Sequence, residues 1–207
     1  MTRGKYIMID GGEGCGKDLQ ADLLFKRFQE KGYEVIQTRE PGGTRGAEQI
    51  RKVLLDRENS FEPLSEVFLF NAPRVENYSE IVIPSLDEGR NVIKVRGWPA
   101  TYAYQGYAGG IYIGLINQLT LLSTQGIRPD LLCIIDIDSK LGLEKETNPD
   151  RFAAKGGEYH KRVNAGYLEV AKTHSDISLV VPYVKDGTEK MQEQIRQAIR
   201  NRLGLKI

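Results

Sequence analysis

The sequence predicts an α/β fold of three layers, in which a five-stranded parallel sheet is flanked by helices. Three observations predict it. Short apolar runs alternate with longer amphipathic stretches along the whole chain. The runs are apolar at consecutive positions, as strands covered on both faces must be. A glycine-rich loop joins the first run to the first amphipathic stretch.

Taken in order, residues 6–9 form the first buried strand. Residues 17–31 follow, with Leu19, Leu23, Leu24 and Phe28 near helical spacing, and Gly32 ends that helix. Residues 34–37 read as the second strand and 46–55 as the second helix. Residues 65–86 are a long helical stretch interrupted by Pro73 and Pro84, where a kink or break is expected. Residues 92–95 are the third strand, 110–124 a helix, 131–137 the fourth strand and 177–181 the fifth. Residues 188–203 close the chain as a helix, with Met191, Ile195, Ile199 and Leu203 repeating every four residues.

No repeat, low-complexity tract or interdomain linker interrupts this order, so residues 1–207 are expected to form one domain. The polar, glycine-containing stretch 148–158 reads as a mobile loop within it. Hydrophobic residues make up 40% of the chain, enough for one buried core. Basic and acidic residues number 29 and 28, leaving a net charge of +1 and no general field to draw nucleic acid or an anionic membrane. Two distant cysteines, Cys15 and Cys133, do not make a disulfide scaffold. The start of the chain lacks a signal-peptide pattern and no stretch is apolar enough to span a bilayer, so a cytoplasmic location is expected.

The first chemistry appears after the first strand, in Asp10-Gly11-Gly12-Glu13-Gly14-Cys15-Gly16-Lys17-Asp18-Leu19. Gly11 to Lys17 has the spacing G-x-x-x-x-G-K. Glycines let backbone N–H groups turn around phosphate oxygens, the helix N-terminus adds its positive end, and the lysine reaches the β- and γ-phosphates. A turn that merely joins strand to helix is the competing reading; Lys17 and the strand–loop–helix context argue against it. Cys15 is read as a small filler. The loop implies a bound nucleoside triphosphate and places Gly11, Gly12, Glu13, Gly14, Cys15, Gly16, Lys17, Asp18 and Leu19 around ATP.

Further segments narrow the class. They are Thr38-Arg39-Glu40-Pro41-Gly42-Gly43-Thr44, Phe70-Asn71-Ala72-Pro73-Arg74, and the stretch from Arg96-Gly97-Trp98 to Ala103-Tyr104-Gln105-Gly106. Pro129-Asp130, Gly142-Leu143, Asp150-Arg151 and the stretch 162–167 continue the series. In identity, order and spacing these resemble the bacterial-type thymidylate kinases of the P-loop nucleoside monophosphate kinase family, over nearly the whole chain. The resemblance implies transfer of the ATP γ-phosphoryl to dTMP, with Mg²⁺, by a homodimer that binds neither nucleic acid nor membrane.

It also implies roles for residues. Phe70 stacks on thymine and Arg74 binds the base edge, tasks suited to a flat ring and a rigid donor fork. Phe70 could instead be plain core, beside Phe68 and Leu69. Arg96 grips the acceptor phosphate, Thr101 reads the pyrimidine, Tyr104 crowds the sugar 2′ position, and Gln105 lies beside them. A surface arginine and a packing tyrosine are the alternatives for Arg96 and Tyr104. Arg39, Glu40 and Pro41 complete the acceptor side. Residues from about 142 to 162 resemble a lid that closes over ATP. The phosphate loop holds no basic residue besides Lys17, so the lid must meet the developing charge, with Arg151 first and Lys145, Lys155 and Arg162 behind it. The catalytic set is then Lys17, Arg96 and Arg151.

The chain departs from the family pattern at four places. Where the third strand usually ends in Asp-Arg it ends in Val95-Arg96, and valine offers a metal no oxygen. Asp18 replaces the usual Ser or Thr, Ala100 a serine, and Ala153 the glutamate of Asp-Arg-x-Glu. Asp18 is the candidate metal ligand, compensating for Val95; Asp10, Glu13 and Asp136 are further carboxylates for a metal-bound water. An impaired nucleotide-binding homologue and a kinase for another deoxynucleoside monophosphate, such as dUMP, are the competing functions.

Overall fold

The computed structural model describes residues 2–146 and 150–207. Five strands, β1 Tyr6–Gly11, β2 Val35–Arg39, β3 Asn91–Val95, β4 Leu131–Asp136 and β5 Ser178–Pro182, form one sheet in the order β2-β3-β1-β4-β5. Every neighbouring pair is parallel. The central strands β1 and β3 are buried at every position, which is why residues 6–9 and 92–95 read as apolar runs, interrupted in β3 by Lys94.

Side chains alternate across the sheet and feed two cores. On one face Tyr6, Met8, Val92, Leu132 and Ile134 meet Tyr78, Val82, Leu86, Trp98, Ile116, Val163 and Tyr167. On the other, Ile7, Ile9, Ile93, Val95, Cys133 and Ile135 meet helix α1 (Lys17–Glu30) through Ala21, Leu24 and Phe28. Met191, Ile195 and Ile199 of the closing helix α9 (Thr188–Leu203) complete that second core. The expected three layers follow directly.

Helix α2 (Arg45–Leu55) is capped by the Thr44 hydroxyl, which accepts from the Ala47 N–H at 3.2 Å, and packs on α3 (Pro63–Asn77). The long stretch around Pro73 and Pro84 does not break. It runs from α3 through a π turn, Tyr78–Val82, into α4 (Ile83–Asp87). The Ile83 N–H bonds the Tyr78 carbonyl immediately before Pro84, which has no N–H of its own. The register therefore shifts where the proline would otherwise leave a carbonyl unpaired.

A second helical segment has no counterpart among the sequence expectations. It is α5 (Trp98–Thr101), continued by a π segment, Tyr102–Ala108. Helix α6 then spans Ile113–Ser123, later than the expected start at 110, where Gly110 has a φ of 80°. Helix α7 (Ser139–Lys145) is capped by the Asp138 carboxylate, and α8 (Gly157–Thr173) follows a short 3₁₀ turn, Ala153–Lys155. Of the expected lid, residues 147–149 lie outside the described residues. Among the described residues, no helix is long and apolar enough to cross a membrane.

Candidate active site

The C-terminal ends of β1, β2 and β3 open into one cleft, as the switch point of a parallel sheet requires. Glu13, Lys17 and Asp18 line it from the first loop, Arg39, Glu40 and Pro41 from the second, and Val95, Arg96 and Gly97 from the third. Phe70 and Arg74 of α3, Thr101 of α5, and Tyr104 and Gln105 of the π segment supply the far wall.

The phosphate loop is held tightly. At Gly14, with φ 62°, a Cβ would lie 2.1 Å from the Gly142 carbonyl, so only glycine fits. The Lys17 Nζ donates to the Gly12 carbonyl at 3.2 Å and stays at the loop's mouth. Cys15 is fully buried and burial pushes its thiol up, in keeping with a filler. Leu19 is half exposed on α1 and is not among the residues lining the cleft.

Loop and acceptor side meet at Glu13. Arg96 donates to Glu13 Oε2 at 2.7 Å, and the Tyr104 hydroxyl to Oε1 at 2.5 Å. Burial pushes the Glu13 carboxyl up, but Arg96, Lys17 and these hydrogen bonds outweigh it and hold it at about 2. Arg96 adopts φ 58°, left-handed backbone that is strained for a side chain of its size. Beneath this cluster, Asp10 is fully buried. Its Oδ1 accepts from the Gly11 N–H and the Tyr167 hydroxyl, each at 2.8 Å, and its Oδ2 from the Gly97 N–H at 3.1 Å. Burial raises the Asp10 carboxyl despite Arg96 and Lys17 nearby. Through both oxygens Asp10 ties the first and third loops together.

On the far wall the Arg74 guanidinium is fully buried. Its Nε donates to Glu40 Oε2 at 2.8 Å, one terminal nitrogen to Asn71 Oδ1 at 3.0 Å and the other to Thr101 Oγ1 at 2.8 Å. Phe70 is half-buried against Phe152, with ring centroids 5.6 Å apart, and Tyr104 meets Phe152 edge-on at 5.8 Å. Gln105 is buried and donates to Glu66 at 2.8 Å. Arg39 pairs with Glu48 at 3.0 Å in the open.

The structure also enlists residues that the sequence did not mark. Arg51 of α2 lines the cleft, donating to the Pro41 carbonyl at 2.8 Å; burial and Arg39 pull its basicity down. Phe152, next to Arg151, joins the aromatic wall. Lys94 is buried beneath Glu40, and a lysine in the middle of the apolar run Val92-Ile93-Lys94-Val95 was its available signal.

The lid is arranged differently from the expectation. Asp150, Phe152 and Ala153 line the cleft, but Arg151 does not. Arg151 donates to the Leu54 carbonyl at 2.5 Å and to Glu66 at 2.7 Å, where Lys155 also pairs at 3.0 Å. Lys145 lies over the Tyr183 ring and Arg162 over the Tyr159 ring. Arg151 is thus held by the buried carboxylate of Glu66 and the Leu54 carbonyl and does not line the cleft.

The sequence profile of the family described as thymidylate kinase matches residues 9–195. The chain belongs to the thymidylate kinase family. The thymidylate kinase of Caldanaerobacter subterraneus is 37% identical over 91% of this chain and 90% of its own length. That of Pelobacter propionicus is 38% identical over 97% and 96%. The solved structure of thymidylate kinase from Ehrlichia chaffeensis superposes with a TM-score of 0.81 at 31% identity, covering 96% of this chain and 99% of that one.

For a member of the thymidylate kinase family the metal-handling residues are sparse. Among the described residues no group of three His, Cys, Asp or Glu side chains could hold a metal ion. Val95 closes its part of the cleft with an apolar side chain, as its sequence implied. Asp18 is exposed at the head of α1 and lines the cleft without a hydrogen bond or ion pair to the described chain. One free carboxylate suits Mg²⁺, which takes its remaining oxygens from phosphates and water.

Proposed function

We propose that this chain transfers the γ-phosphoryl of ATP to dTMP, giving ADP and dTDP. The observation that carries this reading is that phosphate-loop residues, a buried guanidinium and an aromatic wall line one cleft, joined by Arg96, Glu13 and Tyr104. ATP phosphates sit in the backbone cradle of Gly11 to Gly16, and Lys17 exchanges the Gly12 carbonyl for phosphate oxygen. The base of dTMP lies on Phe70, with Arg74 and Thr101 at its edge and Gln105 behind. Tyr104 stands where a ribose 2′-hydroxyl would be, and Arg39 and Arg96 face the acceptor phosphate beside Glu40 and Pro41. Positioning and electrostatics supply the rate, since phosphoryl transfer asks little covalent help of the protein. Asp18 would hold Mg²⁺, whose charge offsets that of the β- and γ-phosphate oxygens. Arg151 serves the transfer only once it leaves Glu66.

One pair of observations favours a second reading, an impaired homologue. Val95 brings no oxygen to the cleft and Arg151 is held elsewhere. A coupled assay of ADP release against dTMP, dUMP and the other deoxynucleoside monophosphates separates the readings. Turnover with dTMP that Lys17→Ala abolishes is expected. No turnover with any acceptor favours the impaired homologue, and preference for another acceptor replaces dTMP.

The proposal extends to assembly and place. A cytoplasmic homodimer fits the exposed apolar side chains Phe68 of α3 and Leu121 and Leu122 of α6, two helices that touch. Sedimentation at the mass of a single copy would count against it.

A further inference from the structure

Lys94 lies on β3, on the sheet face that carries Val92 and packs with Tyr6 and Met8, where the alternation calls for an apolar side chain. It is fully buried. Its Nζ is 2.6 Å from Glu40 Oε1 and 4.0 Å from the centroid of the Tyr78 ring. Glu40 Oε2 accepts from Arg74 Nε at 2.8 Å. Two buried cations thus share one buried carboxylate, an arrangement that costs desolvation energy and that an apolar residue at 94 would avoid. Lys94 does not line the cleft.

What the lysine changes is the way Glu40 meets Arg74. A carboxylate facing a guanidinium with both oxygens free takes it side-on, through two parallel hydrogen bonds. Here the lysine's ammonium sits against one oxygen as an ion pair, without an aligned hydrogen bond, and Glu40 engages Nε alone. Of the terminal nitrogens of Arg74, one stays on Asn71 and the other on Thr101, which lines the cleft.

We propose that Lys94 is a positioning residue of this chain's acceptor pocket: by occupying one oxygen of Glu40 it keeps the Arg74 guanidinium aimed at the acceptor base. The inference rests on the reading of that pocket given above. The charged and titratable groups facing Lys94 are Glu40 at the end of β2, Arg74 of α3 and Tyr78 of the π turn, with Tyr6 of β1 bonded to the Tyr78 hydroxyl at 2.9 Å. Burial pulls the lysine down to about 8 against the pull of Glu40. Burial holds Glu40 up, but Arg74 and Lys94 outweigh it and keep it ionised, while burial drives both tyrosines upward. Lys94 is therefore the one of these groups that titrates between pH 7.5 and 9.

The test is a kinetic cycle on the full chain with Lys94→Met, Arg74→Ala and the double variant, each checked for folding by circular dichroism. Lys94→Met should raise KM for dTMP about tenfold and leave KM for ATP near its starting value. In the Arg74→Ala background it should add nothing, because a residue that acts through Arg74 has nothing left to position. In the unmodified protein KM for dTMP should climb from pH 7.5 to 9, and in Lys94→Met it should not. Additive effects, equal effects on both substrates, or a flat profile in the unmodified protein overturn the proposal, and the flat profile does so even if Lys94→Met does not fold. If Arg74→Ala leaves KM for dTMP unchanged, the acceptor-pocket reading itself fails. If Arg74→Ala raises it and Lys94→Met does not, only the positioning role fails.

Discussion

Phe70 and Asp18 carry the site's two separable demands, a flat surface for a base and a negative charge for a cation. Phe70 is half-buried with one side against Phe152 and packs on the edge of one core, so its truncation removes a wall of the cleft. Phe70→Ala should raise KM for dTMP at least about tenfold and KM for ATP little, as steady-state kinetics with each substrate varied would check. Equal changes would make Phe70 a packing residue. Asp18 and Val95 both line the cleft. If Asp18 supplies the oxygen that Val95 withholds, Asp18→Ala lowers kcat/KM and its Mg²⁺ dependence together, and Val95→Asp restores part of both. A double-mutant cycle across a Mg²⁺ titration checks this; strictly additive effects would remove the compensation. If Val95 is a lesion, Val95→Asp alone raises kcat.

Among the elements, the segment that turns at Asp150 is joined to α3 by one buried carboxylate and by the Phe70–Phe152 ring contact. Glu66 is buried and takes Arg151, Lys155 and Gln105 together, so it connects the expected lid to the acceptor wall. Glu66→Ala strands buried Arg151 and should cost about 3 kcal/mol in thermal or denaturant unfolding. Hydrogen exchange at residues 150–155 should quicken more than in the strands. Unchanged exchange there would mean that Glu66 does not hold the segment. This contact also marks the limit of legibility. Asp150-Arg151 was visible as a motif, but the direction of the Arg151 guanidinium depends on Glu66, 85 residues earlier in the chain. Lys94 stood out in its apolar run, but its partner Glu40 was hidden in the same way, since it comes from another strand end. The π segments at 78–82 and 102–108 escaped because a register shift leaves no signature in hydrophobic spacing.

For the whole molecule the five parallel strands and the cover on both faces of the sheet were readable, because buried parallel strands are mostly apolar and their helices amphipathic, whereas the order of the strands was not. The cleft's charge balance was not, and it links the site to the stability of the fold. The Glu13 carboxyl is held at about 2 against an ordinary 4.5, so the folded state binds this proton less tightly than the unfolded chain does. Its stabilisation is fully present above pH 4.5 and is lost as the pH falls towards 2, a swing of the order of 3 kcal/mol. Denaturant unfolding from pH 6 to 2 should show that loss, and Glu13→Gln should flatten it. A profile unaltered by Glu13→Gln would place the acid sensitivity elsewhere.

The two cysteines turn the fold into its own reporter. Cys133 is sealed inside β4 beneath α9, and burial pushes its thiol up to about 12, while Cys15 is sealed beneath the phosphate loop. Neither sulfur can meet a solution reagent until something above it moves. Pulse labelling with a thiol reagent, read by mass spectrometry, therefore times two events in one chain. Cys133 should react only as fast as the whole sheet opens, and Cys15 as fast as the loop alone lifts. A loop that lifts independently labels first. ATP should slow Cys15 selectively, making a native side chain a gauge of nucleotide occupancy without any attached dye.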